Sequence, residues 1–213
     1  TVTFDSATQL TVNITTFSVT GGFDVTVNNG TAVTLVDGIT VTAGLTTLIP
    51  DDNATWTNVV GAITTGLGSI LPSSNVGGWN KGASFGTVPT ATDFVFSFEF
   101  EHRAGVTDGA TVMGLSSSYT GATQSDIQFG IYLYDLGNAE RILILEGGAI
   151  KVNLGNGSWN LGDTFEIKKV GTAITYYQNG VLIYTSASTS TTSMVFNSTI
   201  YQDLGAKNLK IVY

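Results

Sequence analysis

The sequence predicts an all-β protein, an antiparallel β-sandwich preceded by a small β-domain. Most segments alternate β-branched or aromatic residues with polar ones, or run continuously apolar between turn dipeptides such as Asn179-Gly180. No stretch of about ten residues or more shows the caps and the 3.6-residue periodicity of a helix. The chain has 213 residues, 42% of them hydrophobic, which is enough for one sizeable β-domain with an appendage.

Residues 1–52 contain short strands, two of which flank Asn29-Gly30 and predict a hairpin there. The stretch "PDDNAT" at 50–55 breaks the pattern with proline, aspartate and asparagine, so we place a boundary there. A segment of this size without disulfides buries little surface. We therefore expect a small β-rich domain or docking segment that packs on its neighbour or on other subunits, in a homo-oligomer or a larger assembly.

The clearest strand lies in the second part of the chain, residues 55–213, and reads "DFVFSFEFEH". Every second residue is a phenylalanine, at positions Phe94, Phe96, Phe98 and Phe100. Because successive side chains of a strand point to opposite faces, these rings are predicted to line a core. The other face carries Glu99 and Glu101 toward solvent or a groove.

Two later segments present tyrosines in the same way. In "FGIYLYD" the apolar residues suit the core, so Tyr132 and Tyr134 point outward, onto the surface of Glu99 and Glu101 if the strands are neighbours. A two-residue turn at Asn179-Gly180 pairs Tyr176 with Ile183 and Tyr177 with Leu182. This pairing predicts a face that packs on the core, with Ile174, Tyr176, Val181 and Ile183. It predicts an outward face with Thr175, Tyr177, Leu182 and Tyr184.

Four pieces occur in a familiar order: "GGWNKGAS" (77–84), "MGLSSS" (113–118), "FGIYLYDLGN" (129–138) and "LGDTFEIKKVGTAITYYQNGVLIYTS" (161–186). They resemble the concanavalin A-like lectin/glucanase module, akin to laminin G-like domains, of exported Bacteroidetes proteins. The resemblance covers residues 55–213 and implies a jelly roll of two curved antiparallel sheets, often used to bind glycans or protein surfaces. The same fold also hosts hydrolases and structural spacers, so function depends on the site.

Retaining glucanases of that superfamily carry the pattern E-x-D-x-x-E on one strand. Here the strand reads "EFEHRAG", in which Glu99 and Glu101 share a face, the aspartate is missing, and Arg103-Ala104 follow where the last glutamate is expected. We therefore expect no catalytic residues. His102, the only histidine, has no partner constellation in the sequence and is expected to be a surface or capping residue.

Aromatic rings stack on sugar rings, while carboxylates and arginine take paired hydroxyls. On that chemistry we hypothesise a carbohydrate-binding surface made of Glu99, Glu101, Tyr132, Tyr134, Arg141 and Tyr177. The alternative is that loops simply cover this outer face. Trp79 and Trp159 lie beside turn glycines and are expected to pack in the core.

Composition excludes several classes of function. The formal net charge of -8 disfavours nucleic acid and anionic membranes as partners, and the absence of cysteine excludes disulfides and thiolate sites. No apolar run reaches about 18 residues, the length of a membrane-spanning helix. We expect no cofactor and no metal. Calcium is conceivable at aspartates 51, 52, 108, 126, 135, 163 and 203, although the Asp-Gly dipeptides are more simply turns.

The function that fits best is a non-enzymatic extracellular binding or adhesion module that recognises glycans or a cell-surface protein, on a bacterial cell surface. The first alternative is a bacteriophage virion protein, such as a fibre, decoration or host-recognition component, on the virion surface. The second alternative is a glycoside hydrolase with a degenerate motif. The sequence does not separate the first two, because both demand a protease-resistant β-surface that carries few charges.

Overall fold

The structure, a computed structural model, describes residues 2–6, 9–12, 21–28, 32–41, 47–48, 56–65, 68–90, 92–103, 108–119, 123–135 and 140–213, the first five ranges as backbone only. The chain divides into two compact units, Thr1–Leu45 and Thr46–Tyr213. The sequence-based boundary at 50–55 lies outside the described residues. The division into 1–52 and 55–213 therefore stays a prediction.

The described residues of the first unit form four strands in two antiparallel pairs. They are β1 Val2–Ser6, β2 Gln9–Val12, β3 Gly21–Asn28 and β4 Ala32–Val41. Strands β3 and β4 pair up to Asn28 opposite Ala32. This confirms the pairing predicted on either side of Asn29-Gly30, a dipeptide that itself lies outside the described residues.

In the part of the second unit that the structure describes, there are fifteen strands and one 3₁₀ turn, Gln124–Asp126. The strands are β5 Thr47–Leu48, β6 Trp56–Val60, β7 Ala62–Thr65, β8 Ser69–Pro72, β9 Gly82–Val88, β10 Phe94–His102, β11 Gly109–Ser116, β12 Phe129–Asp135, β13 Arg141–Glu146, β14 Ala149–Asn156, β15 Thr164–Val170, β16 Ala173–Gln178, β17 Val181–Thr189, β18 Met194–Gln202 and β19 Leu204–Val212.

These strands form two antiparallel sheets. Sheet A has eight strands in the order β17-β16-β15-β10-β19-β8-β7, with β5 also paired to β19. Sheet B has seven strands in the order β14-β13-β12-β11-β18-β9-β6. The two sheets enclose one apolar core to which both contribute. The antiparallel β-sandwich predicted from the sequence is confirmed.

The phenylalanine row of β10 lies in this core, as its alternation predicts. Phe94, Phe96, Phe98 and Phe100 are all buried. The Phe98 ring centre lies 5.1 Å from those of both Phe96 and Phe100, and the Phe96 ring is 5.0 Å from Phe196 of β18 in sheet B. Aromatic packing therefore joins the two sheets directly across the core.

The hairpin of β16 and β17 turns where the sequence predicts. Asn179 and Gly180 have φ values of 51° and 75°, both in the left-handed region that a type I′ turn requires. Next to the turn, Tyr177 pairs with Leu182 as predicted. Beyond that pair the register shifts by one residue, so Tyr176 lies opposite Tyr184 instead of Ile183.

Two predicted orientations on β17 are wrong, and this bulge explains the first of them. A one-residue shift turns every later side chain of the strand to the other face. Tyr184 therefore packs against the core beside Tyr176, with ring centres 5.8 Å apart, and the prediction that it faces outward is wrong. Val181, predicted to meet the core, directly follows the turn and is 66% exposed.

Candidate functional site

Four aromatic rings and one arginine cluster on the outer face of sheet B, and we call this group the aromatic patch. Its members are Trp79, Tyr132, Tyr134, Tyr201 and Arg141. The ring centres lie 5.6 Å apart for Trp79 and Tyr132, 5.5 Å for Trp79 and Tyr201, and 6.1 Å for Tyr132 and Tyr134. The Arg141 guanidinium carbon is 4.6 Å from the Tyr134 ring centre.

The strand period places three members of the patch. On β12, Ile131 and Leu133 face the core, so Tyr132 and Tyr134 face outward, as predicted. Arg141 begins β13 directly opposite Tyr134. Opposed residues of an antiparallel pair share a face, which brings the guanidinium over the ring. The structure thus brings together Tyr132, Tyr134 and Arg141, three of the six residues in the hypothesised site.

Trp79 and Tyr201 complete the patch, and sequence reasoning did not include them. Trp79 belongs to the connection between β8 and β9, which Gly78 ties to β18 by donating its N–H to the Tyr201 carbonyl, 3.1 Å away. A Cβ atom at Gly77 would lie 2.9 Å from the Tyr201 hydroxyl, so glycine permits this close approach. Trp79 is half-buried on the outer face rather than in the core, whereas Trp159 is buried in the core as predicted.

Tyr132 supports the patch from below. It is only 8% exposed and packs on a small apolar cluster that includes Val112, Leu143 and Ile127. Burial, aided by neighbouring Tyr134, raises the pKa of Tyr132 to about 12, so its hydroxyl stays protonated. Loops therefore do cover part of this face, as the alternative interpretation held. The half-buried rings of Trp79 and Tyr134 remain within reach of a ligand.

The other three hypothesised residues lie on the opposite side of the molecule. Glu99 and Glu101 belong to β10 and Tyr177 to β16, all in sheet A, where they face away from the core. The expectation that Tyr132 and Tyr134 share a surface with the two glutamates is wrong. The strands β10 and β12 are not neighbours, and the outer faces of two stacked sheets point in opposite directions.

The two glutamates of β10 are held by neighbouring side chains. Glu99 Oε1 accepts a hydrogen bond of 2.8 Å from the Asn208 amide, and its Oε2 lies 3.9 Å from Lys207 Nζ. Glu101 Oε2 accepts a hydrogen bond of 3.4 Å from the Ser69 hydroxyl. Tyr177, on the same sheet, lies under the ammonium of Lys168, which is 4.3 Å from the ring centre. These residues form a charged sheet surface.

His102 bridges the two sheets at one end of the sandwich, a role the sequence reasoning missed. Its Nε2 lies 3.1 Å from Oδ2 of Asp135, and its ring centre lies 5.4 Å from that of Trp159. Asp135 is 2% exposed, and burial raises its pKa to about 6, assisted by the nearby charges of Glu140 and Asp108. His102 thus ends its strand with a side chain that is 20% exposed, and the expected surface or capping role did not include its buried partner.

The signal for this pair was present in the alternation of the strands. The period that turns Phe94 to Phe100 inward also turns His102 inward, and the period of Phe129, Ile131 and Leu133 does the same for Asp135. A histidine and an aspartate that extend two core rows had to meet a polar partner near the interior. Since each partner lies on a different sheet, the pair connects β10 with β12.

The described residues offer no ready metal site. Within them, no three histidine, aspartate or glutamate side chains come close enough to hold a metal ion. Of the aspartates considered for calcium, Asp126 accepts hydrogen bonds from Thr123, and Asp163 accepts them from Asn179 and Gln178. Asp51 and Asp52 lie outside the described residues. That the protein needs no metal or other cofactor stays a prediction.

Among the described residues, no helix is long and apolar enough to cross a bilayer.

Comparison with known proteins identifies the fold. No family model matches the sequence, and no curated protein does either. The chain is similar to the carbohydrate binding module CBM66 from Bacillus subtilis, with a TM-score of 0.51 and 14% identity over 76% of this chain and 99% of that one. It is similar to the VIP36 exoplasmic/lumenal domain in its Ca2+/Man3GlcNAc-bound form, with a TM-score of 0.54 and 11% identity over 80% and 90% of the two chains. The sandwich therefore has the concanavalin A-like jelly-roll fold that the sequence pieces resemble.

Proposed function

We propose that the sandwich is a non-enzymatic glycan-binding module that works in adhesion outside the cell, and that a glycan binds at the aromatic patch. One observation carries the proposal: half-buried rings cluster around a buried tyrosine, with an arginine on the nearest ring. Soluble proteins rarely leave several large rings together within reach of solvent unless they bind something there.

The chemistry of the patch suits a sugar chain. The apolar C–H face of a sugar ring packs against an aromatic face, which Trp79 and Tyr134 present. The guanidinium of Arg141 supplies donors for ring hydroxyls, and its Nε is buried without a hydrogen-bond partner among the described residues. A ligand oxygen at this nitrogen would satisfy a group whose burial otherwise carries a cost.

The fold supports the proposal without deciding it. A carbohydrate binding module and a lectin domain bound to a mannose-containing glycan share this architecture with the chain. Their low identity means that no residue role passes from them to this protein. The few charges of the chain suit an exposed β-surface, which is the basis for placing the module outside the cell.

The test is glycan-array screening followed by calorimetry on any glycan that binds. Trp79→Ala and Tyr134→Ala should each weaken binding by about ten-fold or more, the loss expected for one stacking ring. The matched control is Tyr177→Ala, which removes a half-buried tyrosine from the opposite sheet and should leave binding unchanged. Circular dichroism melts establish that each variant folds. Full binding by a folded Trp79→Ala, Tyr134→Ala double variant would move the site elsewhere.

A further inference from the structure

A pocket of about 80 Å³ lies on the outer face of sheet A, away from the aromatic patch. Its lining residues are Ser97, Phe98, Glu99, Thr164, Asn208 and Lys210. It is far below the 300–1,000 Å³ typical of sites for drug-sized ligands, so it suits one small polar group or the edge of one ring.

A β-bulge makes this pocket. Ser97 pairs with Lys210 while Glu99 pairs with Lys207, so β19 has two residues opposite the single residue Phe98. One of the two, Asn208, has a φ of 53°. A bulge re-aims side chains at a sheet surface. Here it turns the Asn208 amide onto Glu99, with a hydrogen bond of 2.8 Å.

The pocket contains a buried hydroxyl with no partner. Ser97 is 9% exposed, and its Oγ atom is buried without any hydrogen bond to the described residues. Buried polar groups in proteins are almost always paired with protein, water or ligand. Since Ser97 is a lining residue of the pocket, a polar group that fills the pocket can supply this partner.

The neighbours of Ser97 determine which ligand fits. Glu99 is held by Asn208 through Oε1, and among the described residues its Oε2 has only the ammonium of Lys207, at 3.9 Å. Lys210 stands directly across the strand pair from Ser97. The pocket thus combines a carboxylate acceptor, an ammonium donor and a hydroxyl that can do either. A ligand carboxylate would be repelled by Glu99, and a ligand amine would be repelled by Lys210. An apolar group would leave Ser97 unpaired.

We propose that this pocket binds the vicinal diol of one sugar ring, as a second glycan contact on the face opposite the aromatic patch. Two adjacent hydroxyls can donate to the Glu99 carboxylate while their oxygens accept from Lys210 and Ser97. Because none of these residues belongs to the aromatic patch, the inference stands or falls apart from the function proposed for the patch. With both sites filled, the module would hold sugars on both faces of the sandwich.

The test is a nitrogen-15 NMR titration of the whole chain with cis-cyclohexane-1,2-diol and with the methyl glycosides of glucose, mannose and galactose. Backbone amides of Ser97, Glu99, Thr164, Asn208 and Lys210 should shift together and saturate. Cyclohexane-1,3-diol, which has the same ring with separated hydroxyls, should bind about ten-fold more weakly, the loss expected for one hydrogen bond to a charged group.

Two variants and one control locate the binding in this pocket. Ser97→Ala and Glu99→Gln should each weaken the diol by about ten-fold, while Val181→Ala, at an exposed position of the same sheet, should leave it unchanged. Ser97→Ala removes an unpaired buried hydroxyl and is therefore expected to fold. Absence of shifts at the pocket, equal binding of the 1,3-diol, or full binding by both variants would each overturn the proposal. Shifts at the pocket with none at the Trp79 indole would support it and count against the patch.

Discussion

The side-chain amide of Asn179 donates a hydrogen bond of 2.7 Å to Oδ1 of Asp163. The other carboxylate oxygen accepts hydrogen bonds of 2.9 Å from the Gln178 amide and from the Asn160 backbone. Asn179 in turn accepts a hydrogen bond from the Thr164 backbone, 2.9 Å away. One carboxylate therefore ties the loop before β15 to the tip of the β16–β17 hairpin.

We expect Asp163→Ala to lower the free energy of unfolding by about 1–2 kcal/mol at pH 7, because it removes several hydrogen bonds to a charged but partly exposed group. Urea denaturation measures the change. Asp163→Asn is the matched variant, since it keeps the shape while it loses the charge and replaces one accepting oxygen with a donating amide nitrogen. An Asp163→Ala midpoint equal to that of the wild type would show that the loop and hairpin are held by other contacts.

The same carboxylate predicts a pH dependence. Burial alone would raise the pKa of Asp163, but the hydrogen bonds from Asn179, Asn160 and Gln178 outweigh it and hold the pKa below the ordinary value of 3.8. A depressed folded-state pKa adds stability above the unfolded value, which is lost as the pH falls through the folded value. The stability gap between wild type and Asp163→Asn should therefore shrink below pH 3.8. A gap that stays constant there would contradict this.

Phe98→Ala should cost about 3–5 kcal/mol, as for other large-to-small changes of a buried phenylalanine. The ring is fully enclosed, and its centre is 5.9 Å from that of Phe165 as well as close to its neighbours on β10. Val181→Ala, at a position that is 66% exposed, is the control and should change stability by no more than about 0.5 kcal/mol. Equal midpoints for the two variants in urea would rule out the assigned orientation of β10.

In mild acid the wild type should gain stability relative to its Asp135→Asn variant. Its folded-state pKa of about 6 exceeds the ordinary 3.8, so its contribution is complete below 3.8 and disappears as the pH rises through about 6. Denaturation of both proteins at several pH values should show the wild type gaining on the variant from pH 7 down to pH 4. A difference that is flat across this range would contradict the raised pKa.

His102 contributes with the opposite sign. Burial lowers its pKa below the ordinary 6.5, against the opposing charges of Glu140, Asp108 and Asp203. Its stabilising contribution is thus present above pH 6.5 and is lost as the pH falls through the folded value. Because His102 lies 3.1 Å from Asp135, replacing the aspartate also alters the His102 pKa, and the pH profile of the difference reports the pair.

We expect no hydrolysis of a β-glucan panel by the wild-type chain. Hydrolysis with retention of configuration needs two free carboxylates about 5 Å apart across the scissile bond. Here each glutamate is held by a neighbouring side chain, Glu99 by Asn208 and Glu101 by Ser69. Release of reducing sugar by the wild type, abolished in Glu99→Gln or Glu101→Gln, would replace the binding module with an enzyme.

Strand period alone predicted which side of a strand each residue occupies, but not which sheet each strand joins. The core row of β10 and the outward tyrosines of β12 both follow from alternation. The separation of Tyr134 from Glu99 depends on β10 pairing with β19, more than a hundred residues later in the chain. Such long-range pairing is decided by the packing of the whole sandwich, and no local pattern encodes it.

Single-residue bulges and covering loops were the other features beyond the reach of the pattern. The bulge in the β16–β17 pair reverses Tyr184, although the alternation of the strand is unbroken in sequence. Trp79 lies in a connection whose path depends on Gly77 and Gly78 meeting Tyr201. A glycine beside a tryptophan indicates a turn, but not the surface on which the ring comes to rest.

Strands β18 and β19 each lie in the middle of one sheet. In sheet B, β18 lies between β11 and β9, and in sheet A, β19 lies between β10 and β8. Neither sheet can therefore close during synthesis until β18 and β19 have been made. Until then the edges of β10 and β11 are unpaired and open to association with other chains. Loss of 204–213 would therefore split sheet A down its centre instead of trimming its border.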